Sequence, residues 1–203
     1  MKKSTQLIIS AVLFILAYLP ALIWMWDRWF ARDSYYSHGI LVPVVSGYLI
    51  WQLKDDLAKL PHKESPWALR LIIMGVAIYF VGASVRVYFI SGFSMMFVLS
   101  GMILHFFGKE VFRKILFPVL FLMFMIPLPL ALIARISLQL KLFAATIATH
   151  CLNMMSLPAI QEGSIIKMKH AHVVVDDVCS GLRSLISLTA LGSIFAYWLK
   201  GKV

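Results

Sequence analysis

The chain has 203 residues, 61 % of them hydrophobic and 14 % charged, with a mean hydropathy of +0.87 and a formal net charge of +10. This composition excludes an ordinary soluble domain. No nucleic-acid motif accompanies the excess of lysine and arginine, so membrane topology and anionic lipid headgroups account for it better than a nucleic-acid partner does.

A spanning helix needs about 20 mainly apolar residues. There is no internal repeat, and residues 1–203 read as a single membrane domain: an all-α polytopic protein of about six transmembrane helices. The first run, Gln6 to Trp26, follows Lys2 and Lys3 and closes on tryptophans suited to the membrane interface. No small-residue cleavage site follows it, so it reads as an uncleaved anchor. The next runs are Gly39 to Leu53, which is short, then Leu69 to Phe89, Gly92 to Phe107, Ile115 to Ala134 and Ser184 to Leu199.

Positive loops stay cytoplasmic. With the N-terminus inside, the inner segments carry Lys2, Lys3, Lys54, Lys59, Lys63, Arg70, Lys109, Arg113, Lys114, Lys200 and Lys202, which is 11 of the 19 basic residues. The long stretch from Ala134 to Arg183 then falls outside. Its first half has apolar residues at helical spacing with Arg135, Gln139, Lys141 and His150 interleaved, which suggests an amphipathic helix on the outer membrane surface, ending before Pro158. In its second half Ile165, Ile166 and Val173 to Val175 are β-branched and Gly163 offers a turn or bulge. Two short strands in a hairpin are expected, the last running through Asp176 and Asp177 into Cys179.

A cysteine at such a strand-to-helix junction sits near free backbone N–H groups, where the helix dipole favours the thiolate. Arg183, four residues on, would share its helix face and could add positive potential or bind a carboxylate. Asp176 and Asp177 oppose a thiolate unless one caps the helix and the other is paired. The plain alternative is that Cys179 is a small helix-start residue and Arg183 a snorkelling charge.

Other residues carry weaker signals. His170 and His172, with Cys179 and the aspartates, evoke a zinc site or a general base, against the plainer reading of solvated strand histidines; no metal is assigned. His38 opens the second run and can line a site or simply start a helix at the interface. Arg86 can snorkel to headgroups or meet a substrate carboxylate. Cys151 reads as a small buried side chain, since a disulfide to Cys179 would silence the nucleophile.

The segment Asp176 to Leu185, "DDVCSGLRSL", resembles the Cys-Ser-Gly-x-Arg motif of the exosortase and archaeosortase family of membrane-embedded cysteine transpeptidases. "YYSHGILVPVVSGYLIW" (Tyr35 to Trp51) is similar to that family's Ser-His-Gly segment, and "IPLPLALI" to its Ile-Pro-x-Pro region. Three matches in order cover most of the chain. The resemblance implies a protein-sorting thiol peptidase or transpeptidase of the cytoplasmic (inner) membrane, multi-pass, with its active face outward. Cys179 would be the nucleophile and Arg183 its catalytic partner, with His38 and Arg86 at the substrate side. No cofactor is implied. The implied partner is a secreted protein with a C-terminal signal of the PEP-CTERM kind: a Pro-Glu-Pro-like motif, a transmembrane helix and a basic tail. The family's later Asn-x-x-Arg and histidine have no counterpart before Val203, so a C-terminally truncated portion of a longer enzyme is expected. The alternative function is a non-catalytic membrane component linked to polysaccharide export or transport. The near absence of charges within the apolar runs weighs against a transporter.

Overall fold

A computed structural model describes residues 3–32, 34–61, 65–169, 171–175 and 181–200. In chain order the helices are α1 (Lys3–Trp29), α2 (Leu41–Gln52), α3 (Lys54–Leu57), α4 (Trp67–Ser84), α5 (Tyr88–Phe106), α6 (Gly108–Lys114), α7 (Leu116–Phe121), α8 (Leu130–Met154) and α9 (Leu182–Lys200), with a 3-10 turn at Leu122–Met125. Strands β1 (Ala159–Glu162), β2 (Ile165–Met168) and β3 (Ala171–Val174) lie between α8 and α9. The protein is an all-α polytopic membrane protein with a small sheet. Among the described residues, α1, α4, α5, α8 and α9 are long and apolar enough to cross a membrane. The chain divides into two compact units, one holding the residues up to Pro127 together with those from Ser187 onward, the other Leu128–Ile186.

In the first unit α4 and α5 form the tightest pair, and small residues are the reason. A Cβ on Gly75 would lie 2.6 Å from Val98 Cγ2, and one on Gly101 would lie 2.9 Å from the Ala68 carbonyl. Lipid supplies no hydrophobic drive between helices, so close backbone approach holds them instead. The turn joining them closes through Val87 N–H to Gly82 C=O at 2.9 Å and Arg86 N–H to Ala83 C=O at 3.2 Å. Arg86 stands at the left-handed position of this turn, with φ 55°.

Two rods are short. At 12 residues α2 spans about 18 Å, well under the ~30 Å of hydrocarbon. The run expected as a single span from Ile115 to Ala134 is broken, because Pro127 and Pro129 remove backbone donors and bias the residues before them away from helix. It becomes α7, the 3-10 turn, an extended step at Ile126 with ψ 111°, and then the start of α8. The two short rods pack on each other, with Ser46 Oγ donating to the Pro118 carbonyl at 2.9 Å. The last turn ends at buried Met125, whose carbonyl accepts from Trp29 Nε1 at 2.9 Å. In a membrane an unpaired carbonyl at that point is costly, so the α1 tryptophan completes the broken rod.

These contacts fix the direction of every rod in the unit. One end gathers Trp29, Gly39, Gly92, Met125 and Ile126, and Ser187 of α9 reaches His38 there. The opposite end has Asp56 of α3 paired with Lys114 of α6 at 3.1 Å, and Tyr197 of α9 stacked on Phe117 of α7 at 4.2 Å. It also carries Lys54 over Trp51 and Arg70 over Trp67, the pattern of an interfacial belt. The rods therefore alternate in direction. The chain leaves this bundle after Met125 and re-enters at Ser187, at the same end.

In the second unit α8 starts at Leu130, earlier than the sequence pattern indicates, and ends before Pro158 as expected. The sheet has three strands rather than two, in the order β1-β2-β3, all antiparallel. β1 escapes the sequence pattern because Ile160 is its one β-branched residue. Gly163, at φ 62°, makes the β1–β2 turn. Ala145, Ala159 and Ile166 form the buried contact of sheet with helix, and Ala148, Leu152, Met168 and Val175 pack around it. Cys151, expected as a buried side chain, is exposed. At 100° per residue it stands off the α8 stripe of Ala145, Ala148 and Leu152 that meets the sheet.

Replacing Trp29 by phenylalanine keeps the ring and leaves the Met125 carbonyl unpaired. A loss of about 1–3 kcal/mol is expected, read as a lower unfolding midpoint in detergent.

Candidate active site

The His38 corner is assembled by a loop that folds on its own polar groups. Ser34 is buried, its Oγ donating to the Arg28 carbonyl at 2.6 Å and accepting from Tyr36 N–H at 2.9 Å. Tyr36 is buried and stacks on His38 with centroids 5.9 Å apart. Gly39 N–H bonds the Tyr36 carbonyl at 2.8 Å and Leu41 N–H the His38 carbonyl at 3.0 Å, which carries the loop into α2. Gly39 lies against the Trp29 indole, where a Cβ has no room. The same indole holds Met125, so the glycine after His38 is a packing requirement.

His38 Nδ1 lies 3.2 Å from Ser187 Oγ, while its Nε2 is buried and, among the described residues, has no hydrogen-bond partner. Burial lowers the His38 pKa below the usual histidine value, which keeps the ring neutral near pH 7. If Ser187 donates to Nδ1, then Nε2 carries a proton to offer; in the other tautomer it presents a lone pair. Either way the corner holds one polar atom waiting for a donor or acceptor.

The other sequence-predicted residues divide. Cys179, with Asp176, Asp177 and His170, lies outside the described residues. Just beyond that segment Gly181 has φ 62° and its carbonyl accepts from Leu185 N–H at 2.9 Å, opening α9. The glycine of Cys-Ser-Gly-x-Arg thus turns the chain into the helix through a conformation that costs other residues about 1 kcal/mol or more. Arg183 is exposed in the first turn of α9, and Ser187 is one helical turn further along. Arg86 is exposed at the α4–α5 turn. His172 is exposed on β3, paired across the ladder with Lys167, which is salt-bridged to Glu162 at 2.6 Å.

Sequence reasoning missed Ser187, Trp29 and Ser34. Ser187 alone left a trace, as a hydroxyl in an apolar run four residues after Arg183. The Trp29–Gly39 contact joins residues of two different elements and leaves no local pattern.

Residues 26–203 match the transmembrane exosortase family. The chain belongs to that family. No curated protein and no solved structure matches it. At family level an exosortase is a membrane protein-sorting transpeptidase, and the match includes both the His38 segment and the Cys179 segment.

Two outcomes follow from this geometry. Gly39→Ala drives the indole off the Met125 carbonyl and should destabilise the exosortase about as much as loss of that hydrogen bond, roughly 1–3 kcal/mol, by thermal unfolding. A histidine with a depressed folded pKa contributes stability that is fully present above the unfolded value of about 6.5 and is lost as pH falls toward the folded value. The melting temperature should therefore fall on acidification below about pH 6.5, and His38→Gln should flatten that part of the profile.

Proposed function

We propose that this exosortase is a cysteine peptidase or transpeptidase that cleaves a C-terminal sorting signal at the outer face of the cytoplasmic membrane, with Cys179 as nucleophile. The observation that carries the reading is the family match through the Cys-Ser-Gly-Leu-Arg segment. The Cys179 thiolate attacks the carbonyl carbon of the scissile peptide bond. The C–N bond breaks, the departing nitrogen takes a proton from water so that the tail leaves as an amine, and a thioester remains. An acceptor nucleophile or water then attacks the thioester, takes the acyl group and returns the thiolate. Arg183 binds carboxylate or developing oxyanion charge as a planar two-point donor. His38, through Nε2, and Arg86 contact the substrate. The substrate is a secreted protein of the PEP-CTERM kind, whose own membrane helix holds the scissile bond just outside the bilayer.

Charge distribution supports the orientation. Among the described residues of the first unit, the end bearing α3 and α6 carries Lys54, Lys59, Arg70, Lys109, Arg113 and Lys114. The end bearing His38 carries Arg28, Arg32 and Arg86. The richer end is the cytoplasmic one.

In cells co-expressing a tagged substrate, Cys179→Ala and Cys179→Ser should abolish cleavage of the signal, read as a gel shift, without changing membrane insertion, because a serine hydroxyl does not ionise near pH 7. Arg183→Ala should reduce cleavage strongly and Arg183→Lys recover little. Full cleavage by Cys179→Ala removes the catalytic reading.

A further inference from the structure

The small sheet has two edges, and they are treated differently. Val175 N–H donates to the Ser164 carbonyl at 2.9 Å, which sets the phase of the ladder. Antiparallel pairs alternate between bonded and non-bonded, so Ala171, Val173 and Val175 turn their backbone groups to β2. His172 and Val174 turn theirs to the free edge of β3. The same alternation turns Ala159 of β1 outward on the opposite edge. There Asn153, in the last turn of α8, takes both groups: Ala159 N–H donates to Asn153 Oδ1 at 2.9 Å, and Asn153 Nδ2 donates to the Ala159 carbonyl at 3.1 Å. A side-chain amide occupies the place a neighbouring strand would take.

Nothing comparable covers β3 among the described residues. All four of its residues are exposed, with Val173 at 49 % and Val174 at 55 %. It carries no proline or lysine, the usual devices that protect a free edge. In sequence it precedes the Cys179 motif. Four residues lie between Val174 and Cys179, a reach of at most about 18 Å.

We propose that β3 is the docking edge for the extended segment of the polypeptide substrate, which adds as a fourth strand through the backbone of His172 and Val174. This inference rests on the cysteine-peptidase reading and states how the peptide is presented to it. Backbone groups spaced two residues apart recognise a peptide main chain rather than a lipid or a small solute. A docked strand needs its N–H groups only at alternate residues, so proline is accepted at the positions between. A Pro-Glu-Pro segment, which the family resemblance implies, is compatible with such a docked strand. One closed and one open edge admit a single strand.

The test uses the full chain in membranes, in a Cys179→Ala background, with a reporter protein ending in a Pro-Glu-Pro segment, a transmembrane helix and a basic tail. A benzophenone side chain is placed at position 172, 174 or, on the closed side, 160. Adducts with the reporter are expected from 172 and 174 and not from 160. In the active chain, Val174→Pro removes one edge donor and should raise KM about tenfold with kcat within about twofold, whereas Val174→Ile should stay within about twofold in both. The crosslinks decide even where Val174→Pro lowers the amount of folded protein. Absence of a reporter adduct from both 172 and 174 overturns the proposal, as does an adduct joining two copies of this chain through β3. Processing that survives Cys179→Ala removes the catalytic reading instead, whereas Cys179-dependent processing without these adducts removes only the docking edge.

Discussion

The hydrogen bond from Trp29 Nε1 to the Met125 carbonyl sits where the chain breaks a membrane rod, and the geometry around His38 depends on it. A rod interrupted by Pro127 exposes backbone that lipid cannot satisfy. The α1 tryptophan supplies the missing donor, and its indole then occupies the space beside residue 39. Only glycine fits there. With Gly39 against the ring, His38 is held at the start of α2 within reach of Ser187 on α9. Three far-separated parts of the sequence thus meet at one end of the bundle through a single indole.

The opposite end is built differently. It is a belt of lysine and arginine over tryptophan, with Asp56 held well below the usual carboxylate range by the Lys114 ammonium beside it. Such a belt suits an anionic surface. In the sheet Asn153 satisfies the outer edge of β1, and among the described residues nothing comparable covers β3.

Much of this was legible in the sequence because membrane segments obey a length rule and because motifs are local. The polytopic helical class followed from composition, the helix end before Pro158 from proline sterics, and the Gly163 turn from its neighbours. The break at Ile126 is marked in the sequence by Pro127 and Pro129, but the run from Ile115 to Ala134 reads as one span, since nothing local says that a distant tryptophan will satisfy the break. β1 was invisible because Ala-Ile-Gln-Glu owes its strand character to β2 and to Asn153 rather than to propensity. Of the candidate site, His38 was found through its motif, whereas Ser187 and Gly39 gained their roles from contacts between elements.

The proposed function requires the His38 end of the bundle and the Cys179 motif to face one side of the membrane, opposite the lysine-rich end. Labelling of single cysteines by an impermeant thiol reagent in intact cells tests it most directly, in a background of Cys151→Ala and Cys179→Ala. The account predicts that Arg86→Cys and Lys167→Cys are labelled from outside and Lys59→Cys only after permeabilisation. Labelling of Lys167→Cys together with Lys59→Cys, and apart from Arg86→Cys, would mean that α8 crosses the membrane and would contradict it.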